Sequence, residues 1–168
     1  MRGGLLRDTG AASDSSAPAR SLAQEGKVPD DATLLIVAGP KSDLLASEIE
    51  AIKTFLARGG KLALLIDPPD KGTSADVTRV IALAQEWGVS VGNDLVVDAS
   101  GLGQLIGTDA SVPIAMPAPH PITENFRVMT AFPLTRSVTP IEGGTGGHVS
   151  QKVLETSPQS WAESDLKG

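Results

Sequence analysis

The sequence predicts an α/β protein whose open, mostly parallel sheet is flanked by helices. Two continuous apolar runs of strand length, residues 33–38 and 62–66, enclose an amphipathic helical segment. A second helical pattern and a third strand pattern follow before residue 98. Strand, helix and strand in succession are typical of a βαβ unit, whose right-handed crossover makes the two strands parallel.

The first strand is expected to be buried on both faces, because residues 33–38 form an unbroken apolar run that ends at Gly39 and Pro40. The helix after it is predicted to begin with a capping box formed by Ser47 and Glu50. It should end at Arg58, since Gly59 can adopt the left-handed conformation after a helix.

The second strand, residues 62–66, is stopped by Asp67 and Pro68. Residues 73–76 are predicted to cap a second helix, which carries an apolar face and ends at Gly88. A third strand is predicted at residues 89–91 or, by preference, 94–97. Shorter β-like pieces are expected at residues 127–132, 136–139 and 152–155.

Three regions are expected along the chain. Residues 1–27 should form a flexible lead-in, since residues 8–21 contain no large apolar side chain. Residues 28–156 should form the α/β domain, with the βαβαβ core at 33–97 and a Pro- and Gly-rich β and loop part at 98–156. Residues 157–168 are expected to be a C-terminal tail that is cut short.

The composition excludes several classes of function. The 168 residues include 20 acidic and 14 basic side chains, and a net charge of −6 argues against a nucleic-acid partner. The absence of Cys excludes disulfides, a thiol nucleophile and Cys-ligated zinc. No apolar run approaches the roughly 20 residues that a membrane-spanning helix needs. No metal and no cofactor is expected.

Two glycine motifs are interpreted as turns or loops. Gly88 to Gly92 matches G-x-S-x-G, but the helix precedes Ser90 and the strand follows it, which reverses the order of a nucleophile elbow. Gly101 to Gly107 reads G-x-G-x-x-x-G, which differs from the dinucleotide fingerprint. A flexible surface loop is the favoured interpretation there.

Five residues are candidates for contacting a ligand or a partner: Gly39, Pro40, Asp67, Pro68 and His120. The first four follow the two predicted parallel strands, and ligands bind outside the carboxyl ends of such strands. His120 lies between two prolines, in a loop that should be extended and exposed. Structural alternatives remain for Asp67, which can cap the adjoining turn, and for His120, which can bond to backbone.

An ordered series of blocks carries a resemblance to a known family. The blocks are VPDDA (28–32), LLIVAGPK (34–41), EAIK (50–53), LARGGKL (56–62), IDP (66–68), WGV (87–89), VVD (96–98), HPIT (120–123), FPLTRSV (132–138) and TSPQSWAE (156–163). The chain resembles the soluble domain of gliding-motility-type auxiliary components of ABC transport systems, over roughly residues 22–165.

The resemblance implies a three-layer fold similar to the class I glutamine amidotransferase and flavodoxin-like group, without a catalytic Cys. It also implies a periplasmic or cell-surface location, tethered by membrane helices that this chain lacks, and an ABC permease and ATPase as partners. Such domains begin with an additional strand and helix, where this chain has its polar lead-in. A missing strand would expose a sheet edge through which copies of the chain can pair as a homo-oligomer.

The main functional hypothesis is therefore a non-enzymatic extracytoplasmic domain that acts by protein–protein interaction or substrate handling. One alternative is a small-ligand or glycan-binding module with a pocket near Gly39 and Asp67. The other is a catalytically dead hydrolase of the amidotransferase fold.

Overall fold

A computed structural model describes residues 22–69 and 77–165. Its helices are α1 (Leu22–Glu25), α2 (Ala46–Ala57), α3 (Thr78–Glu86) and α4 (Leu102–Leu105), with a 3-10 turn at Pro121–Thr123. Its strands are β1 (Leu34–Ala38), β2 (Lys61–Leu65), β3 (Val89–Val91), β4 (Leu95–Asp98), β5 (Ile114–Pro117), β6 (Thr130–Ala131), β7 (Val138–Pro140), β8 (Leu154–Thr156) and β9 (Ser160–Glu163). None of the helices in these two ranges has the length and apolar character needed to cross a membrane.

The chain divides into two compact units. The first unit comprises Met1–Ile66 and Ala75–Val80, and the second comprises Asp67–Ser74 and Ile81–Gly168.

The first unit contains the predicted βαβ pattern. Strands β1 and β2 are parallel, in a register that places Leu34 beside Lys61. Their bounds differ by one residue from those predicted. Along β1 only Leu35 and Val37 are buried, so the prediction of a strand covered on both faces was wrong. The unit is centred on Ile52 and Phe55 of α2, which are almost fully enclosed.

The start of α2 differs from the predicted start, whereas its end agrees with the prediction. The helix begins at Ala46, and the Glu48 carboxylate accepts a hydrogen bond from the Leu45 amide at 2.7 Å. The predicted capping box of Ser47 and Glu50 was therefore wrong, since the acidic side chain that reaches back lies two residues earlier. The predicted end was confirmed: Gly59 adopts a left-handed φ of 92° immediately after Arg58.

Arg58 links the end of α2 to the turn before β1 through an ion pair and hydrogen bonds. Its guanidinium forms an ion pair with Asp30 at 2.6 Å and donates to the carbonyls of Val28 and Pro29 at 3.0 and 2.6 Å. Two of the sequence blocks described above are thus joined by one side chain.

The first turn of α3 is capped from a distant part of the chain. Both carboxylate oxygens of Asp43 accept from the Arg79 amide, at 3.2 and 3.0 Å. A side-chain oxygen in this position satisfies one of the amides that a helix start leaves without a partner. The cap predicted at residues 73–76 lies outside the described residues.

The second unit consists mainly of short antiparallel strands. Strand β3 pairs with β7, β4 pairs with β9, and β5 lies between β6 and β8. Both alternatives for the third predicted strand exist, as β3 and β4. The β-like pieces expected after residue 98 contain β6, overlap β7 and overlap β8, whereas no strand was expected where β9 lies.

The predicted fold class was wrong. Instead of an open, mostly parallel sheet, the described residues form four separate sheets of two or three strands, and only β1 and β2 are parallel. Parallel strands need a crossover of a dozen or more residues, usually a helix. In the described chain after Asp98 the one α-helix, α4, has four residues, so antiparallel pairing prevails there. The expected likeness to three-layer amidotransferase and flavodoxin-like folds is thereby overturned.

Candidate binding site

The five predicted site residues are divided between the units. Gly39 and Pro40 lie in the first unit, where the Gly39 amide donates to the Leu65 carbonyl at 2.8 Å. Asp67, Pro68 and His120 lie in the second unit. His120 lines a surface cleft that neither Asp67 nor Pro68 lines. A role for these residues in binding stays a prediction.

A surface cleft around His120 is the candidate site that the described residues of the second unit form. Its volume is about 590 Å³, and three prolines form much of its wall. Proline fixes its own φ and restricts the preceding residue, so this wall is rigid before anything binds. The lining residues are Pro117, Ala118, Pro119, His120, Pro121, Thr123, Glu124 and Arg127.

Hydrogen bonds hold the turn that carries His120. The His120 Nδ1 accepts from the Ile122 amide at 3.1 Å, which assigns the ring proton of the neutral imidazole to Nε2. The buried Thr123 hydroxyl lies 2.5 Å from the Ala118 carbonyl and 3.0 Å from the His120 carbonyl. The cleft can therefore offer a hydrogen-bond donor from His120 and charges from Glu124 and Arg127.

Large apolar side chains follow the cleft residues along the chain. We call Ile122, Phe126, Val128 and Met129 the apolar rim; all four are exposed, and Ile122 is 77% accessible. Exposed apolar residues that occur singly are ordinary, whereas a contiguous apolar patch indicates an interaction surface. The four rim residues lie close together along the chain, between positions 122 and 129. A rigid cleft followed by an apolar rim is suited to docking another molecule.

Buried Asp98 anchors the strand that leads into the cleft. Its Oδ1 accepts from the Ser100 amide at 2.9 Å and the Ser157 hydroxyl at 2.7 Å, and its Oδ2 accepts from the Ile114 amide at 3.4 Å. Burial by itself raises the pKa of Asp98, but the hydrogen bonds from Ser100, Ser157 and Ile114 together lower it to about 2. The carboxylate thus ties β4 to the start of β5 and to the turn before β9.

A second buried polar group, Arg136, is only partly satisfied. Its side chain is 5% exposed, and Nη2 donates to the Asn93 Oδ1 at 3.4 Å. Nε and Nη1 are buried without a hydrogen-bond partner. Burial lowers the pKa of Arg136, although the charges of Asp94 and Asp67 act in the opposite direction. A buried guanidinium normally forms hydrogen bonds through most of its nitrogens, so this arrangement is unusual.

The neighbours of Arg136 are closely packed. Asp94 accepts from the Ser137 amide at 2.8 Å and from the Ser137 hydroxyl at 2.7 Å. A Cβ atom at Gly92 would lie 1.9 Å from the Asp94 Oδ2, so any larger residue there would displace the Asp94 and Ser137 side chains. Neither Asp98 nor Arg136 was among the predicted site residues. The available signal was the charge of Arg136 inside a predicted β piece, where a buried strand face is normally apolar.

The remaining sequence motifs lie in strands, turns and a ring stack. Ser90 lies within β3, opposite Thr139 of β7. Gly101 adopts a left-handed φ of 78° before α4. His148 stacks on Trp87 with ring centroids 4.0 Å apart. Across residues 22–69 and 77–165, no group of three or more carboxylates and imidazoles is arranged to hold a metal ion.

The fold and these sequence blocks define a class of protein. Residues 18–167 match the family described as "ABC-type uncharacterized transport system", and the chain belongs to that family. The family resemblance found in the sequence was thus confirmed, and with it an association with ABC-type transport.

Two individual proteins that are similar to the chain have names that differ from this family description. The chain is 36% identical over 64 residues to "Intraflagellar transport protein 52 homolog" of Mus musculus, a segment covering 38% of this chain and 15% of that protein. The homologue of Homo sapiens is also 36% identical over 64 residues, covering 38% of this chain and 14% of that protein. The matched segment is thus a small part of either relative.

Among solved structures, the "mmIFT52 N-terminal domain" is similar with a TM-score of 0.59 at 19% sequence identity. The alignment covers 77% of this chain and 58% of that chain. At this level of identity the likeness concerns the fold alone. It agrees with the sheet topology in directing the fold assignment away from the expected parallel three-layer class.

Proposed function

We propose that this chain is a non-enzymatic, extracytoplasmic domain of an auxiliary component of an ABC transport system. It acts by protein–protein contact with the permease, through which it is coupled to the ATPase subunit. Membership of the ABC-type transport family supports the association with an ABC transport system. The relatives named as intraflagellar transport proteins add a second group of proteins that contain a segment similar to part of this sequence.

The observation that carries the proposal is the rigid cleft followed by the apolar rim. Prolines and the Thr123 hydrogen bonds fix the cleft in advance, which reduces the ordering entropy that binding costs. The exposed side chains of Ile122 and Phe126 offer apolar area to a partner, and Glu124 and Arg127 offer charges at its margin. These features suit a partner surface with apolar groups and a polar border.

The proposal is tested by co-purifying the full-length protein with the permease and ATPase subunits of its own system. We expect Ile122→Asp and Phe126→Asp to weaken the complex at least tenfold, because each places a charge in the apolar contact. The matched control is Leu105→Asp, since Leu105 is 81% exposed on α4 and lies outside the rim. Equal retention by all three variants would contradict docking through the rim.

The location is tested by cysteine labelling. These 168 residues contain no Cys, so Glu124→Cys adds one thiol at an exposed cleft position, and the unsubstituted full-length protein is the control. A maleimide that does not cross membranes should label this variant in intact cells expressing the full-length protein. Labelling only after permeabilisation would place the domain in the cytoplasm and overturn the extracytoplasmic part of the proposal.

The non-enzymatic part is tested separately. Hydrolytic turnover of esters or amides that disappears in Ser90→Ala would overturn it. We expect no such turnover, because Ser90 lies in the middle of the β3–β7 pair, away from the strand-to-helix turn that a nucleophile elbow requires.

One observation favours a second candidate function, a small-ligand or glycan-binding module. The cleft volume of about 590 Å³ falls in the range of ligand pockets. A ligand that binds only the folded protein raises the melting temperature, so sugars and short peptides can be screened by calorimetry. An increase that is lost in Arg127→Met would support this candidate, whereas complex formation without any ligand effect supports the first.

A further inference from the structure

Among the described residues, the buried side chain of Arg136 is the one with nitrogen atoms that lack a hydrogen-bond partner. Nε and Nη1 are both enclosed without an acceptor, and Nη2 has one long bond to Asn93. Buried polar groups in folded proteins nearly always have a partner, and an exception indicates a bound ion, a bound water or a functional role. We propose that Arg136 binds a small oxyanion, a carboxylate or a phosphate, through Nε and Nη1.

The described residues around Arg136 do not provide the missing acceptors. The Asp94 oxygens accept from the amide and hydroxyl of Ser137, and neither oxygen forms a hydrogen bond with Arg136. Asp67 and Asp94 attract Arg136, but among the described residues no carboxylate forms an ion pair with it. An oxyanion would supply acceptor oxygens to the two nitrogens that lack them. Guanidinium is well suited to this because its planar set of donors matches carboxylate and phosphate oxygens.

The geometry also limits what can bind. Arg136 is 5% exposed, so the segment that carries it must shift to admit an anion, which favours a small one. Leu134, two residues earlier, has an exposed side chain and a φ of 49°, a conformation that is strained for a residue other than glycine. The nearby charges of Asp67 and Asp94 oppose an added anion, so we expect millimolar affinity.

The test measures the melting temperature of the chain by calorimetry at pH 7 in sodium chloride, acetate and phosphate of equal ionic strength. We expect a saturable increase of several degrees with acetate or with phosphate but not with chloride, since a ligand that binds only the folded state stabilises it. A response to acetate alone identifies a carboxylate site, and a response to phosphate alone identifies a phosphate site.

Matched variants assign the response to Arg136. Arg136→Met keeps a similar volume without the charge and should abolish the saturable increase. Arg136→Lys keeps the charge without the planar donors and should lower the affinity for the anion at least tenfold. Lys152→Met removes an exposed cation of the second unit that does not line the cleft, and it should respond like the unmodified chain. An increase that persists unchanged in Arg136→Met would overturn the proposal.

A second measurement needs no variant. The Nε–H resonance of Arg136 in a ¹H–¹⁵N spectrum should shift as acetate or phosphate is titrated, with the same midpoint as the thermal response. A resonance that stays fixed across the titration, together with an unsaturable thermal response, would show that ordered water alone satisfies the group and would overturn the proposal. Neither result depends on the permease interaction, so the proposed function is judged separately.

Discussion

The two units of this protein are stabilised in different ways. In the first unit the enclosed side chains are apolar, as Ile52 and Phe55 show. The second unit contains all three of the buried polar or charged residues in the described chain, Asp98, Thr123 and Arg136. A short βαβ segment can bury an apolar stripe locally, whereas strands of two to four residues need specific hydrogen bonds to fix their positions.

This difference teaches that the two units should respond to different perturbations. Removing apolar volume should affect the first unit most, because close-packed interiors relax only partly around a cavity. Changing the ionisation of one carboxylate should affect the second unit most, because its strands meet at charged groups. The predictions below start with the largest expected effect.

Phe55→Ala should be the most damaging single change. Phe55 is 1% exposed, so its truncation removes buried apolar area and leaves a cavity, at a cost of about 3–5 kcal/mol in the free energy of unfolding. Urea denaturation followed by circular dichroism at 222 nm measures this cost. The matched control is Leu65→Ala, where the side chain is exposed on β2 and a loss below about 1 kcal/mol is expected. Equal losses would contradict an apolar centre at Phe55.

Acid should weaken the second unit through Asp98. Its folded pKa is about 2 and its ordinary value is 3.8, so the ionised carboxylate stabilises the fold above pH 4. That contribution, about 2 kcal/mol, is lost as the pH falls from roughly 4 through 2. Asp98→Asn should therefore be less stable than the unmodified chain at pH 7, with the difference narrowing towards pH 2.

Urea midpoints of both proteins between pH 7 and pH 2 check this prediction. The variant comparison is needed because the pKa of the exposed carboxylates Asp30 and Asp109 is lowered as well, by hydrogen bonds from Lys27 and Arg58 and from Ser111, respectively. If the difference in urea midpoint between the two proteins is the same at every pH, the charge of Asp98 does not contribute to stability, and the side chain acts through its packing.

Asp43→Ala should destabilise the first unit by about 1 kcal/mol, because it removes the side-chain acceptor from the first turn of α3. Asp43→Asn keeps an acceptor oxygen and should lose less. The difference between the two variants, measured as a change in melting temperature, isolates the cap. If alanine and asparagine cost the same, the ion pair of Asp43 with Arg79 matters more than the cap.

His148→Ala should have the smallest effect. The imidazole stacks on Trp87 at 4.0 Å, but His148 is exposed, so the loss should stay below about 1 kcal/mol. The same melting experiment measures it. A loss as large as that of Asp98→Asn would mean that the glycine-rich turn at residues 143–147 is held mainly by this stack.

The sequence predicted the first unit better than the second for a physical reason. The signals around α2, such as the apolar stripe and Gly59, act over a few residues and are visible in order along the chain. The pairing of β4 with β9 joins residues about sixty positions apart, and no local pattern encodes it. The parallel-sheet prediction extended the βαβ rule into a region that lacks crossover helices.

The candidate site shows the same division. His120 was predicted because prolines on both sides fix a loop locally, and the structure places it in the cleft. The buried positions of Asp98 and Arg136 depend on residues far away in sequence, such as Ser157 and Asn93, so no spacing rule identifies them. The contact of Asp43 with the first turn of α3 was not predicted either, since Asp43 approaches from a loop that lies before α2. The cap predicted at residues 73–76 lies outside the described residues and stays a prediction.

The positions of the two tryptophans have a practical consequence for spectroscopy. Trp87 and Trp161 both belong to the second unit, and they are the only tryptophans of the chain, which also lacks tyrosine. Intrinsic fluorescence therefore observes one half of the protein and is silent about the other. If the fluorescence transition and the loss of ellipticity have different melting temperatures, the two units unfold independently.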